Sequence, residues 1–401
     1  MSRQSVLLRS TAGLVLGAAL AVAATGGASA EAPAVEEPAT VRVEAAPADA
    51  IQDAAAQRVA AMSVREKAAS VVMGHLPTTD PAALQAYMAA TGIGGFILMG
   101  ANIPPDEDAL RGVTAALTLD AAFPPLLAVD QEGGDVSRLP WDGFASARQL
   151  KSEPPAAALS AFAGRAALVQ RAGIGVNFGI VADETADPAS FIYRRALGTT
   201  PASAAERVAA AVEGEGSDAL STLKHFPGHG AAPGDSHQGI PSTPMSKTDW
   251  ASADGLPFQA GIDAGAPLLM FGHLAYTAVD PAPATLSAEW HRIAREELGF
   301  EGVAVTDDLG MLQASGVPAY ADTVANAVAA LAAGNDMVLA VVFSTADTAP
   351  RMVDGIVAAV ESGALPAERL EEAAERVAAL RLRLAAEGRG LVPCADCAPA
   401  E

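Results

Sequence analysis

The chain has 401 residues, with 47 Asp and Glu against 25 Lys and Arg, and a formal charge of −22 at neutral pH. So acidic a surface repels a polyphosphate, which excludes nucleic acid as an expected partner. The two cysteines, Cys394 and Cys397, sit in the terminal stretch VPCADCAPAE; with no second pair to complete a structural zinc site, they read as part of a peripheral tail.

In chain order, Arg3 and Arg9 precede an apolar run over residues 12–24, and Ala28-Ser29-Ala30 follows with the small-residue pattern that signal peptidase cleaves. Residues 1–30 are therefore expected to be a signal peptide, with a mature N-terminus at Glu31 and a formal charge of −24 once Arg3 and Arg9 are removed. The run is too short and Ala-rich to hold the processed chain in a membrane, and no later stretch is long enough to span one. An exported, soluble protein without stable membrane insertion is the expectation. Residues 31–52, rich in Ala, Pro, Glu and Val, read as a flexible linker.

From residue 53 the texture changes. Eight short apolar or β-branched runs alternate with Ala-rich helical patterns: SVVMGH from 70, GGFILMG from 94, PLLAVD from 125, GVNFGI from 175, LSTLKHF from 220, PLLMFGH from 267, GVAVTDD from 302 and DMVLAVV from 336. Strict alternation through eight units predicts a (β/α)8 barrel over residues 53–387, with a doubly wound open sheet as the alternative. The placement of polar residues separates the two. His75, Asp130, Lys224, His225, His273, Asp307 and Asp308 all fall at or just beyond the C-terminal ends of their strands, which in a barrel converge on one mouth. The last helical pattern, PAERLEEAAERVAALRLRLAAEG, reads as an outer or closing helix with a solvated charged face. Residues 388–401 read as a tail.

The densest polar stretch is KHFPGHGAAPGDSHQGIP, residues 224–241, which holds half of the six histidines. A turn at Pro227-Gly228 lets Lys224 and His225 approach one ligand. Asp235 and His237, two apart, lie on one side of an extended loop, where the carboxylate can hold one imidazole nitrogen and leave the other to move a proton. The competing reading is a loop pinned by histidine hydrogen bonds. Asp307 and Asp308 are expected to divide their work, Asp307 facing the mouth and Asp308 capping the next segment or binding backbone amides. His229, Asp235, His237 and Asp307 are all metal-ligand types, yet no HExxH or similarly constrained set occurs, so neither metal nor other cofactor is expected. In DQEGGDVSRLP, residues 130–140, Asp130 can accept hydroxyl hydrogens while Arg138 and Arg195 donate to other oxygens. With only four Tyr and three Trp, a small hydrogen-bonding pocket for one sugar suits the composition better than a long aromatic cleft.

KHFPGHG, DSH, DQEGG and VTDD followed by LGM closely resemble family 3 glycoside hydrolases, and among them the single-domain β-N-acetylhexosaminidases that remove terminal N-acetylglucosamine in bacterial peptidoglycan recycling. NFGIVADETADP, YRRALG and PATLS extend the resemblance over about residues 60–385. It implies Asp307 as nucleophile and His237 as general acid/base oriented by Asp235. It implies Asp130, Arg138, Arg195, Lys224 and His225 as the sugar pocket, with Asp183 and His273 near the mouth. It further implies a retaining, exo-acting enzyme on peptidoglycan fragments or chito-oligosaccharides, placed in the bacterial cell envelope or outside it, possible cell-wall association, and a monomer as the favoured state. A β-glucosidase of the same family and a non-catalytic sugar-binding barrel are the alternatives. One departure stands out: where the family usually has DQEGGRV, this chain has Asp135 in place of the arginine.

Overall fold

A computed structural model of the chain describes residues 48–216 and 218–388. Eight parallel strands close into a barrel: β1 Val72–Gly74, β2 Gly95–Leu98, β3 Leu126–Val129, β4 Val176–Val181, β5 Leu220–Phe226, β6 Leu268–Phe271, β7 Val303–Asp308 and β8 Met337–Leu339. Each strand pairs with its neighbours in sequence, and β1 closes the ring on β8 through Val72 opposite Val338. All eight runs expected to be strands are strands of this barrel, and the open-sheet alternative falls.

Local chemistry sets the boundaries of the surrounding helices. Asp80, Asp106, Thr200 and Asp322 each accept a backbone N–H of the first turn through their side chains. Pro81, Pro155 and Pro201 occupy first-turn positions where no N–H is needed. Inside the barrel, Met73, Ile97, Leu126, Val176, Phe178, Leu268, Met270, Val303, Val305, Met337 and Leu339 form one apolar plug. This is a filled interior, so chemistry is confined to the strand ends.

The final helix, Ala367–Glu387, closes the N-terminal end by adding Val377, Leu380 and Leu384 to that plug. Its charges are not simply a solvated face. Arg369 and Arg376 bind the fully buried carboxylate of Asp336, just ahead of β8, at 2.6 and 3.0 Å, and Arg295 joins them at 2.5 Å. Sequence spacing showed the basic repeat but not the distant carboxylate that takes it up. A second boundary also differs: the helix Ala48–Ala60 takes in residues 48–52, expected to be linker, because Ala-rich sequence with Asp49 in the first turn favours helix. The expected signal peptide, residues 31–47 and both cysteines lie outside the described residues.

Beneath the mouth, the helix Pro201–Glu215 ends on a fully buried carboxylate. Glu215 accepts from Asn177 Nδ2 at 2.6 Å, and Asn177 in turn exchanges hydrogen bonds with the backbone of Gln131. Burial pushes the Glu215 carboxyl up to about 8, against the opposing pull of its hydrogen bonds to Asn177 and Ser221. A value raised in the folded state means that the group's contribution is whole at low pH and is lost as the unfolded carboxyl ionises, up to the folded value. The wild-type melting temperature is therefore expected to fall relative to that of Glu215→Gln as pH rises from about 5 to about 8. Thermal unfolding across pH measures this; parallel curves for the two proteins would rule out the titration.

Candidate active site

The site grows from the C-terminal ends of β3, β4, β5 and β7. Beyond β3 the chain turns into a short hairpin, Gln131–Gly133 against Val136–Ser137. Gln131 organises it from inside: its side-chain oxygen accepts from Arg138 N and Leu139 N, and its amide donates to Ser137 and Asp142. Gly133, at φ +82, is packed so closely by Arg165 that a Cβ would lie 2.1 Å from the guanidinium. That arginine is itself buried and paired with Asp142 at 2.7 Å. Held in this way, the hairpin returns Arg138 towards Asp130, at 3.4 Å.

The buried centre of the cluster is Glu132, which the sequence reading did not single out. Arg195 grips it with two hydrogen bonds of 2.8 and 2.7 Å, and Lys224 Nζ adds a third contact at 2.7 Å. Burial works to raise the Glu132 carboxyl, but these two cations outweigh it and hold it at about 2. Lys224 also reaches Asp130 at 3.0 Å, so one ammonium links the two carboxylates. The signal was present in the sequence: Asp130 and Glu132 are two apart, the spacing that puts extended residues on one side.

Asp183, just past β4, supports the end of β5. It accepts from the backbone N–H groups of His225 and His229 at 3.1 and 2.6 Å, and from His225 Nδ1 at 2.7 Å. Burial raises its carboxyl, and the His225 and His229 interactions more than reverse that. His225 thus presents Nε2, 3.4 Å from Arg195 Nη2. The loop then lies directly on the backbone beyond Asp183: a Cβ at Gly230 would fall 1.6 Å from the Glu184 carbonyl oxygen.

At the end of β7 the two aspartates divide as expected. Asp308 accepts from Gly310 N, Val341 N and Val342 N, each at 2.8 Å, and so ties the first turn of the following helix to the loop after β8. Burial pushes its carboxyl up to about 6, with the charge of Asp307 adding to that. Asp307 faces the other way. Burial would raise its carboxyl, but His225, His273, the Asp308 amide and Lys224 together hold it below the ordinary value and keep it ionised. His273 is engaged at both ring nitrogens, Nε2 at 2.8 Å from the Asp308 carbonyl and Nδ1 at 2.9 Å from Thr285 Oγ1, and burial lowers its basicity. It steadies the strand end and offers no free nitrogen to a ligand.

Asp235 and His237 form the pair expected from their spacing: Asp235 Oδ1 accepts from His237 N at 3.0 Å and lies 2.7 Å from Nδ1. The His237 side chain is 56% exposed and stands edge-on to Phe191, with ring centroids 5.9 Å apart. Phe191 also packs against His229 and under Arg195, which ties this loop to the cation cluster. Among the described residues no hydrogen bond joins His237 to Asp307. Asp135, the unusual acidic residue, pairs with Arg194 at the half-exposed outer edge, at 2.6 Å. The charge reversal therefore lies on the outside of the hairpin, away from Glu132 and Lys224.

Asp130, Arg138, Arg195, Lys224, His225 and Asp183 are thus brought into one connected cluster, Asp307 lies within its electrostatic reach, and Asp235–His237 stands on a separate, more exposed loop. Such an arrangement can bind several hydroxyl or carbonyl oxygens beside an ionised carboxylate and a histidine able to move a proton. Among the described residues no group of three or more His, Cys, Asp or Glu is arranged to hold a metal ion. No helix there is long and apolar enough to cross a membrane.

Comparison with known proteins agrees with this architecture. A beta-hexosaminidase of Alkalilimnicola ehrlichii is 35% identical over 258 residues, 62% of this chain and 73% of its own length. One from Pseudomonas aeruginosa is 37% identical over 254 residues, 61% of this chain and 74% of its own. Among solved structures, a glycoside hydrolase family 3 beta-N-acetylglucosaminidase from a Paenibacillus species superposes with a TM-score of 0.76 at 29% identity, covering 84% of this chain and 65% of that one. A beta-N-acetylhexosaminidase from Beutenbergia cavernae gives 0.69 at 29% identity, covering 80% of this chain and 98% of that one. The family described as the glycosyl hydrolase family 3 N terminal domain matches residues 63–380, and with the barrel and its strand-end residues this establishes that the chain belongs to glycosyl hydrolase family 3.

Proposed function

We propose that the protein is a retaining, exo-acting β-N-acetylhexosaminidase that releases terminal β-linked N-acetylglucosamine from peptidoglycan fragments or chito-oligosaccharides. The observation that carries this is the pairing of an ionised, enclosed Asp307 with an exposed Asp235–His237 dyad around one polar cluster. The names of the relatives support the same class. Asp130, Arg138, Arg195, Lys224 and His225 bind the sugar oxygens in this reading. Asp183 fixes His225, and His273 positions the end of β7. The signal-peptide pattern of residues 1–30 supports export, with the folded monomer acting outside the cytoplasmic membrane or near the wall.

The reaction proceeds by two displacements. Asp307 attacks the anomeric carbon while His237 gives its proton to the departing oxygen, and the C–O bond breaks as the glycosyl ester forms. His237, now neutral, takes a proton from water; the hydroxide oxygen attacks the anomeric carbon and Asp307 leaves. Asp235 compensates the imidazolium charge whenever His237 is protonated.

Two results test this reading. Aryl β-N-acetylglucosaminide is expected to be turned over with a kcat/KM about 10⁴-fold above that of the matching β-glucoside, because polar groups left unpaired discriminate strongly; comparable efficiency would favour a β-glucosidase. His237→Ala is expected to lose about 10²–10⁴-fold on an unactivated disaccharide and much less on aryl substrates whose leaving group needs little protonation. Added azide should restore turnover of the variant and yield the β-glycosyl azide, whereas folded Asp307→Ala should form no intermediate. An α-azide, or full activity in Asp307→Ala, would overturn the mechanism.

A further inference from the structure

The loop over residues 228–241 carries both Asp235 and His237, and both of its ends are tied to one residue, Tyr276. At the near end the Tyr276 hydroxyl donates to the Gly228 carbonyl oxygen at 2.7 Å. At the far end Ser242–Thr243 pairs in parallel with Ala275–Tyr276, Ala275 N donating to Pro241 O and Thr277 N to Thr243 O, each at 2.9 Å. Trp250 Nε1 adds a hydrogen bond of 2.7 Å to the Pro227 carbonyl. Among the described residues Asp235 binds only His237 and Gln238, both in its own loop. The dyad therefore lies where these ends and the ring of Phe191 put it.

Asp254 is packed against the same Gly228 peptide. A Cβ at Gly228, where φ is +128, would lie 2.8 Å from Asp254 Cβ, 3.0 Å from Asp254 Oδ1 and 3.2 Å from Tyr276 Oη, so only glycine leaves room for both groups. Asp254 stands just ahead of the helix Gly255–Asp263, where an aspartate ordinarily caps, yet its side chain makes no capping hydrogen bond. It is buried, and Oδ1 has no hydrogen-bond partner among the described residues. Glu184 and Asp183, just past β4, face it with further carboxyl groups. Burial pushes the Asp254 carboxyl up to about 7, with the charges of Glu184 and Asp183 adding to that. Burial likewise raises Glu184, and it lowers the basicity of His229, so the imidazole next to Gly228 supplies no fixed positive charge. The Tyr276 hydroxyl, pushed well above its ordinary value by burial and by the same carboxyls, stays a donor.

Resting on the role proposed for His237, we propose that Asp254 and Tyr276 are positioning residues of the reaction: together they seat the Gly228 peptide and thereby set the placement of the loop that presents His237. The Tyr276 hydroxyl has one proton to give. While the Asp254 carboxyl is neutral, that proton stays on the Gly228 oxygen. Once Asp254 ionises, its carboxylate is the stronger acceptor and draws the hydroxyl away, because a charge-assisted hydrogen bond is about twice as strong as a neutral one. The Gly228 carbonyl is then left buried without its partner, and the root of the loop shifts. The proton carrier is thus well placed below about pH 7 and loses its placement above it.

Two donors read that placement: N,N′-diacetylchitobiose, whose departing sugar needs the His237 proton, and a dinitrophenyl β-N-acetylglucosaminide, whose leaving group does not. The ratio of their kcat/KM values separates proton donation from sugar binding. Between about pH 6 and about pH 8 this ratio is expected to fall about tenfold further in the wild type than in Asp254→Asn, whose amide keeps the shape and cannot ionise. Titration of His237 itself is common to both proteins and cancels from the comparison. Tyr276→Phe should lower the ratio about tenfold already at the acid end and lose the Asp254-dependent fall, since no hydroxyl remains to be drawn away. Hydrogen exchange of the backbone amides of residues 228–232, corrected for the intrinsic effect of pH, should quicken over the same range in the wild type and not in Asp254→Asn. Identical ratio profiles in the wild type and folded Asp254→Asn, or equal exchange in the two, would overturn the proposal. Should Asp254→Asn not fold, a wild-type ratio profile parallel to that of Tyr276→Phe would overturn it equally. A wild type inactive on both donors would overturn the proposed activity instead, and the exchange measurement would then decide the seating of Gly228 alone.

Discussion

The Glu132 carboxylate, enclosed between Arg195 and Lys224, is the contact from which the mouth of the barrel is arranged. Desolvating three ionised groups is costly, and the arrangement holds only because each has short, well-directed partners. Glu132 draws Arg195 inward from the long connection after β4 and fixes Lys224 at the end of β5. Lys224 then shares its charge with Asp130, and Arg138 completes the row from the hairpin. Two carboxylates thus orient three cations, an excess of one positive charge in an otherwise strongly acidic protein. A hydroxyl-rich ligand meets both donors and acceptors there without having to reorganise them.

The two ends of the barrel use charge for different purposes. At the N-terminal end Asp336 binds three arginines, two of them from the closing helix, and fastens that helix beneath the apolar plug. At the C-terminal end the partners of Asp307 are arranged so that its carboxylate stays ionised without being covered by an ion pair. Asp308 makes this possible. By taking three backbone amides it fixes the strand end and the neighbouring loop, so that the side chain before it is free to face the ligand.

Much of this was legible from local sequence because the responsible forces are local. The eight strands announce themselves as short apolar runs whose residues are buried on both faces, and the Asp307–Asp308 division follows from strand alternation and helix capping. The Asp235–His237 pair likewise needs only a spacing of two. What escaped the sequence depends on partners far along the chain. Glu132 acquires its role only when Arg195, sixty-three residues away, folds onto it. The closing helix looked solvated until Asp336 met its arginines, and His273, whose strand-end position suggested a ligand contact, is occupied by Thr285 and the Asp308 carbonyl. Residues 48–52 were misplaced for a simpler reason: Ala and Pro enrichment suggests linker, yet past the last proline an Ala-rich stretch is good helix.

The unequal exposure of Asp307 and His237 fits the work proposed for each. A nucleophile acts twice on one carbon atom and gains from being held rigidly in an enclosed place, where its charge is balanced by fixed neighbours. The proton carrier faces two different oxygens in succession, that of the departing sugar and that of the incoming water, and the first must leave before the second arrives. A histidine buried as deeply as His225 would have to be uncovered between the two steps. On its exposed loop, His237 keeps Nδ1 on Asp235 throughout and leaves Nε2 open to either oxygen, while Phe191 limits where the ring can lie. The contact between Phe191 and Arg195 then ties that limit to the ion cluster that holds the sugar pocket.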